Sequence, residues 1–293
     1  MKFLYFFSLL FAAINTKAQP PLPSNADDNT LLWEISGNGL QKPSYLFGTF
    51  HLLCKADIQF SNTLKEAIIK SDEVYLELDL DNPSTLLGGI MLMNMKDGKK
   101  LKDLYTPEAY TRIANYFKDS LQTPIGLFQS MKPELLTALL FPKMMPCASV
   151  SSVEDAIMTL AKADDKEIKG LETMAFQAAL FDSIPYEKQA SHLLEAIDSM
   201  EQSKKKFQLM LEAYKKQQLD KLETIMNDPA HGLEENMDEL VDNRNLNWIE
   251  QLKVIMKNKS VFIAVGAGHL IGKKGLIALL KQEGYMLRPL DNR

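Results

Sequence analysis

A chain of 293 residues, 46% hydrophobic and 24% charged, has the composition of a globular protein able to bury a large core, which excludes a disordered or low-complexity class. Its formal net charge of −5 and the lack of a long basic run exclude nucleic acid as the expected partner, because neutralising phosphates takes clustered Lys and Arg. The densest basic patch, Lys204-Lys205-Lys206, falls inside a helical pattern and reads as a solvated face.

The first residues read as an address. Met1-Lys2 is a positive n-region, Phe3 to Ile14 an apolar h-region and Thr16-Lys17-Ala18 a small-x-small cleavage signal, so residues 1–18 are predicted to be a signal peptide. The product is then exported, to the periplasm or the extracellular space. About twelve apolar residues fall short of the ~20 that span a bilayer, and no later segment reaches that length, so no membrane span is expected after signal removal. Residues 19–30, QPPLPSNADDNT, are polar and proline-rich and read as a disordered lead-in. Residues 31–293 are expected to form a single domain.

Leu31–Ile35 and Ser44–Phe50 read as two strands of a hairpin, with Gly37-Asn38-Gly39 and Pro43 as turn chemistry. Ser61 caps a helix with apolar residues Leu64, Ala67 and Ile68 at helical spacing, and Glu73–Leu80 follows as a strand. The middle is helical. Pro107 opens one helix behind Thr106, Pro133 opens a run to Met145, and Ser152-Val153-Glu154-Asp155 starts another with acidic residues in its first turn. A short strand at Glu167–Leu171 precedes helices at Ala175–Phe181, Tyr186 to about Met226 in two pieces, and Leu233–Lys257. The end returns to sheet, with strands at Ser260–Val265 and Tyr285–Leu290 around a helix at Lys273–Gln282. The fold class is therefore α/β or α+β, with a mixed central sheet built from N- and C-terminal strands and a large helical middle.

Two features carry chemistry. SYLFGTFHL and VFIAVGAGHL each run from an apolar strand into Gly-x-x-His, ending at His51 and His269. If both strands share one sheet, both histidines arrive at its carboxyl edge, where α/β folds build sites. In EVYLELDL, alternation puts Tyr75, Glu77 and Asp79 on one face. Two imidazoles and one or two carboxylates suit a divalent transition ion of the Mn, Co or Zn class. Such an ion activates water near neutral pH, with a neighbouring carboxylate as proton acceptor. The bland readings are structural histidines and a wet strand face. Gly266-Ala267-Gly268 with Gly272 half-matches a dinucleotide fingerprint, but only one strand follows it.

Cys54 and Cys147, an even pair in an exported chain, read as a disulfide pinning the loop after His51 against Met144–Ser149. Two buried thiols, or a Cys54–His51 nucleophilic pair, are the alternatives. Leu86–Met95, LLGGIMLMNM, is either core or a flexible apolar lid. His192 and His231 have no motif around them and read as structural or exposed.

The paired motifs FGTFH and VGAGHL, the intervening YLELDL, the segment GLETMAFQAALFD and RNLNW before the last strands together resemble the TraB/GumN family, which includes the Tiki metalloproteases. The resemblance spans Leu31 to Leu290. It implies a metal-dependent hydrolase, a peptidase acting on peptide or protein, with His51 and His269 as metal ligands and Glu77 as a third ligand or general base. Two more residues enter with it. Arg244, in RNLNW, can clamp a substrate carboxylate or hold Glu77 or Asp79, and Glu172, in GLET, is a site carboxylate or a helix-start charge. The rival readings are a non-catalytic peptide-, haem- or metal-binding protein using the same histidines, and a metal-free esterase. Oligomeric state is not legible.

Overall fold

The computed structural model describes residues 28–82, 89, 92–228 and 237–293. The leader, residues 19–27 of the lead-in, much of Leu86–Met95, His231 and the start of the helix expected from Leu233 lie outside the described residues.

Strands β1 (Leu32–Gly37) and β2 (Ser44–Thr49) form the expected hairpin, in the register Leu32↔Phe47 to Ile35↔Ser44. Its turn holds Gly37, Asn38 and Gly39 at positive φ of 76°, 46° and 81°, which is why the sequence there is Gly-Asn-Gly. Every residue of β2 is buried, as expected of a strand covered on both faces. β3 (Leu53–Cys54) follows, then α1 (Asn62–Lys70), whose first turn is capped by Ser61 Oγ accepting from the Leu64 N–H at 3.1 Å.

β4 (Glu73–Leu78) is shorter than the pattern predicts. Its pairing stops at Leu78↔Glu172 and the chain then turns, so Asp79 leaves the sheet and hydrogen-bonds Asp81 and Asn82. The expected shared face of Glu77 and Asp79 is therefore not formed.

The middle contains α2 (Pro107–Ser120), α3 (Pro133–Ala138), α4 (Phe141–Met144), β5 (Val150–Ser151), α5 (Val153–Ala163), β6 (Glu167–Glu172), α6 (Met174–Ser183), α7 (Tyr186–Asp198), α8 (Met200–Lys215) and α9 (Leu219–Met226). The run expected from Pro133 to Met145 is broken, since Pro142 has no N–H for an interior turn but fits the start of α4. Tyr186–Met226 falls into three helices, not two, with Gln217 at φ 55° ending the second. A π-helical turn, Asp238–Asp242, leads into α10 (Asn243–Ile255), followed by β7 (Val261–Gly266), α11 (Leu276–Gln282) and β8 (Tyr285–Pro289).

Six strands form one mixed sheet in the order β6-β4-β7-β2-β1-β8. β6, β4, β7 and β2 run parallel, and β1 and β8 add antiparallel pairings. Terminal β7 thus lies between early strands β2 and β4, so the carboxyl ends of strands far apart in sequence meet at one edge. The main apolar core packs on this sheet through residues such as Leu46, Leu76, Phe262 and Trp248. A second core, including Ile113, Phe117, Leu136 and Leu193, lies in the helical middle. There His192 Nδ1 meets Glu134 Oε2 at 3.2 Å, a structural contact. No helix among the described residues is long and apolar enough to cross a membrane.

β3 pairs antiparallel with β5, and beside this ladder Cys54 and Cys147 are disulfide-bonded, with Cα atoms 5.9 Å apart across a sequence separation of 93. The bond ties the segment leaving β2 to the segment entering α5. Replacing both cysteines by alanine is expected to lower stability by about 2–4 kcal/mol, because the unfolded chain loses a long covalent loop. Urea unfolding checks this, and an unchanged midpoint would contradict it.

Candidate functional site

Each of the four parallel strands brings one polar group to the shared carboxyl edge. Glu77 is the second-last residue of β4 and Glu172 the last of β6. His51 lies two residues beyond β2, and His269 closes a short 3-10 turn after β7. The first turn of α10 inserts Arg244 and Asn245, both buried, from the opposite side.

Arg244 is not a surface residue. Nε donates to Glu172 Oε1 at 3.0 Å and Oε2 at 3.1 Å, while Nη2 reaches Glu172 Oε2 at 2.9 Å and Glu77 Oε2 at 2.5 Å. Nη1 donates to the Leu240 carbonyl at 2.8 Å and approaches His269 Nε2 at 3.1 Å. Its guanidinium also lies over the Trp248 ring, 4.8 Å from the centroid. Of the two roles expected of Arg244, clamping a substrate carboxylate or holding Glu77 or Asp79, its contacts are those of the second, made to Glu77. Glu172, with its side chain 1% exposed, is the anchor of the Arg244 fork.

Glu77 accepts the Gly266 N–H on Oε1 at 2.8 Å and the Gln177 amide on Oε2 at 3.4 Å. Burial would raise its pKa, but the facing His269, Arg244 and His51 and the Gly266 N–H outweigh burial and hold it at about 2. It is an anion throughout the working pH range.

The two histidines are built alike. Asn245 Nδ2 donates to the carbonyls of His269 (3.2 Å) and Lys274 (2.8 Å), which leaves its Oδ1 to accept from His269 Nδ1–H at 2.7 Å. His269 Nε2 therefore carries the lone pair, which accepts from Arg244 Nη1–H at 3.1 Å and stands 3.8 Å from Glu77 Oε1. Burial pushes the His269 pKa down to about 4, so the ring is neutral at pH values above that. Its ring packs on Trp248 with centroids 4.4 Å apart. His51 Nδ1 meets Glu154 Oε1 at 2.8 Å, and Thr49 Oγ1 donates to the same oxygen at 2.5 Å. The Glu154 hydrogen bond raises the His51 pKa to about 9, although the side chain is 72% exposed. With Nδ1 held by Glu154, Nε2 is the nitrogen left for a ligand, and a metal binding there would displace the proton it carries below about pH 9.

Gly266 is the centre of the arrangement. A Cβ there would lie 3.3 Å from Glu77 Oε1, 3.7 Å from His269 Cδ2 and 3.8 Å from His51 Nε2. The glycine leaves open the space that these groups surround. Among the described residues, no group of three or more His, Cys, Asp or Glu stands at spacing for a metal, and Arg244 holds one Glu77 oxygen. The donor chemistry nevertheless fits a divalent ion: two imidazoles are each oriented through Nδ1 by an acceptor with Nε2 beside a carboxylate, and an ion at His269 would take the lone pair that now accepts from Arg244 Nη1–H.

Glu154, Asn245, Gln177 and Thr49 belong to this site, and sequence reasoning did not select them. Glu154 passes for an ordinary first-turn acid of α5, and only the Cys54–Cys147 tie hints that its segment lies near His51. Asn245 and Gln177 lie inside the RNLNW and GLETMAFQAALFD segments, and Thr49 inside FGTFH.

Residues 31–289 match the model of the TraB/PrgY/gumN family. Metalloprotease TIKI2 of Danio rerio is 22% identical over 318 aligned positions, covering 89% of this chain and 61% of that protein. Metalloprotease TIKI1 of Danio rerio is 33% identical over 94 residues, 32% of this chain and 18% of that protein. Its Homo sapiens counterpart is 31% identical over 97 residues, 33% of this chain and 19% of that protein. The chain spans less than two thirds of the length of these relatives. No solved structure matches it.

Acid should undo the site in two overlapping steps. His269 is depressed on folding, so its stabilisation is full above its ordinary value of 6.5 and fades as pH falls toward about 4. Glu77 is also depressed, and its share fades from 4.5 down toward about 2. Arg244→Leu strands two buried carboxylates and is expected to cost about 3–5 kcal/mol near neutral pH. Urea unfolding of metal-free protein across this range checks both. A variant as stable as wild type near neutral pH would contradict the pairing.

Proposed function

The chain belongs to the TraB/PrgY/gumN family, and we propose that it is an exported, metal-dependent hydrolase acting on peptide or protein substrates. The carrying observation is the convergence of His51 Nε2, the His269 ring and Glu77 Oε1 on the space above Gly266. Relatives named metalloproteases support the reaction class. The Met1–Ala18 leader and the Cys54–Cys147 bond support export, because disulfides persist in oxidising compartments.

In this reading His51 and His269 hold a divalent transition ion (Mn, Co or Zn) through Nε2, with Glu77 as the adjoining carboxylate. When bound, the ion supplies Lewis acidity that polarises a carbonyl and activates water. The rest belongs to the chain. Glu154 and Asn245 keep each histidine's proton on Nδ1 and so aim Nε2 at the site. Glu77, held at about 2, is a poor proton acceptor, which favours the role of anionic ligand over that of general base. Arg244 and Glu172 are positioning residues that fix Glu77 without touching the substrate.

A metal-free esterase using His51 as base fits less well. Its ring, paired with Glu154, stays protonated until about pH 9, so such an enzyme would gain activity as pH rises through that value.

The test is metal analysis of purified protein combined with cleavage of a quenched-peptide library, on wild type, His51→Ala, His269→Ala and Glu154→Gln. Wild type is expected to retain a divalent ion and to cleave. The histidine variants should lose both, and Glu154→Gln should lose ~10–100-fold in metal affinity. Metal without cleavage of any peptide would favour the binding-protein reading. Full activity in Glu77→Gln would contradict the site.

A further inference from the structure

A hollow of about 310 Å³ opens directly beside the convergence point. Its lining combines polar His51, Glu77, Ser152, Glu154 and Gln177 with apolar Leu76, Leu78 and Leu80, which lie at the carboxyl end of β4 and just past it; Ser152 Oγ already accepts from the Asp155 N–H. Leu76 is core, 1% exposed, whereas Leu78 and Leu80 are half-buried and turn apolar surface toward the hollow. The polar members are engaged at the atoms that have partners, and the one carboxylate oxygen among them without a partner, Glu154 Oε2, is shut off from solvent. Glu77 is held by Arg244 and Gly266, Glu154 by His51 and Thr49, and Gln177 by Glu172 and Glu77.

These facts constrain an occupant. The volume lies at the small end of the ~300–1,000 Å³ typical of ligand pockets, enough for one large side chain and not for an extended cofactor. An acidic side chain would meet Glu77 and Glu154 at close range. A basic one would have to lay its charge along the leucines, because Glu77 and Glu154 Oε1 already have partners and the unpartnered Glu154 Oε2 is buried out of its reach. An aliphatic or aromatic side chain covers Leu78 and Leu80 and asks nothing of the polar members.

We infer that this hollow is the specificity pocket of the site, and that it takes a large apolar side chain of the substrate, Leu, Met or Phe, next to the bond that is cut. The inference rests on the hydrolase reading for the words "bond that is cut", but the pocket's preference stands on its own lining. Leu78 and Leu80 are specificity residues outside the metal-holding and positioning set.

Two measurements on the purified protein separate the pocket from the reaction. In the first, protein carrying 13C-methyl leucine is titrated with N-acetyl-leucinamide, N-acetyl-phenylalaninamide and N-acetyl-glycinamide, with the Leu78 and Leu80 signals assigned by L78I and L80I. Those signals are expected to move with the leucine and phenylalanine amides and not with the glycine amide. No movement, or equal movement with all three, overturns the pocket. In the second, a quenched-peptide library is digested by wild type and by Leu78→Ala/Leu80→Ala. Wild type should favour a large apolar residue over glycine beside the cut by about ten- to a hundredfold, and the variant should lose most of that preference while still cutting. A library cut without apolar preference overturns the pocket and leaves the hydrolase standing. An uncut library with responding leucines supports the pocket and removes the hydrolase.

Discussion

Two carboxylates, Glu77 and Glu172, sit at the ends of adjacent parallel strands with little access to water, and two buried like charges that close need a shared counter-charge. The Arg244 guanidinium supplies that charge from α10 and divides its donors between them. Glu77 is thereby fixed in protonation state and in position, with its second oxygen turned to the Gly266 N–H. Arg244 Nη1 also approaches His269 Nε2, so one side chain sets the electrostatics of the buried half of the site. The price is a saturated arginine with no donor left for a substrate.

The exposed half is organised differently. His51 stands in solvent, and what orients it is Glu154, carried on a helix that the chain enters about a hundred residues later. The β3–β5 ladder and the disulfide hold these segments together. A buried charge network thus fixes one histidine and a covalent tie supports the other. Gly266 between them keeps the space clear.

Much of this is legible in the sequence, and the reason it is legible is local. Gly-Asn-Gly must turn, Ser61 and Thr106 cap helices through their own side chains, and alternation through Glu73–Leu78 marks a strand. Glycine just before a histidine at a strand end is likewise a local signal, and it points to His51 and His269. What sequence hides is long-range. Nothing near Glu154 says that it faces His51, and nothing in RNLNW distinguishes an arginine that grips substrate from one that grips Glu77 and Glu172. Asp79 fails for the opposite reason: alternation extends past the point where pairing with β6 ends, and a period of two carries no stop signal. The helical breaks at Pro142 and Gln217 show the same limit, since local propensity marks helices better than their ends.

The central claim is that the histidines of the two Gly-x-x-His motifs act as one site across Gly266. X-ray absorption on the Co²⁺-loaded protein tests it most directly. The account predicts imidazole scattering from two histidines, reduced to one when excess Co²⁺ is forced onto His51→Ala or His269→Ala, neither of which retains the ion through purification. A spectrum without imidazole scattering, or one unchanged by either substitution, would contradict it.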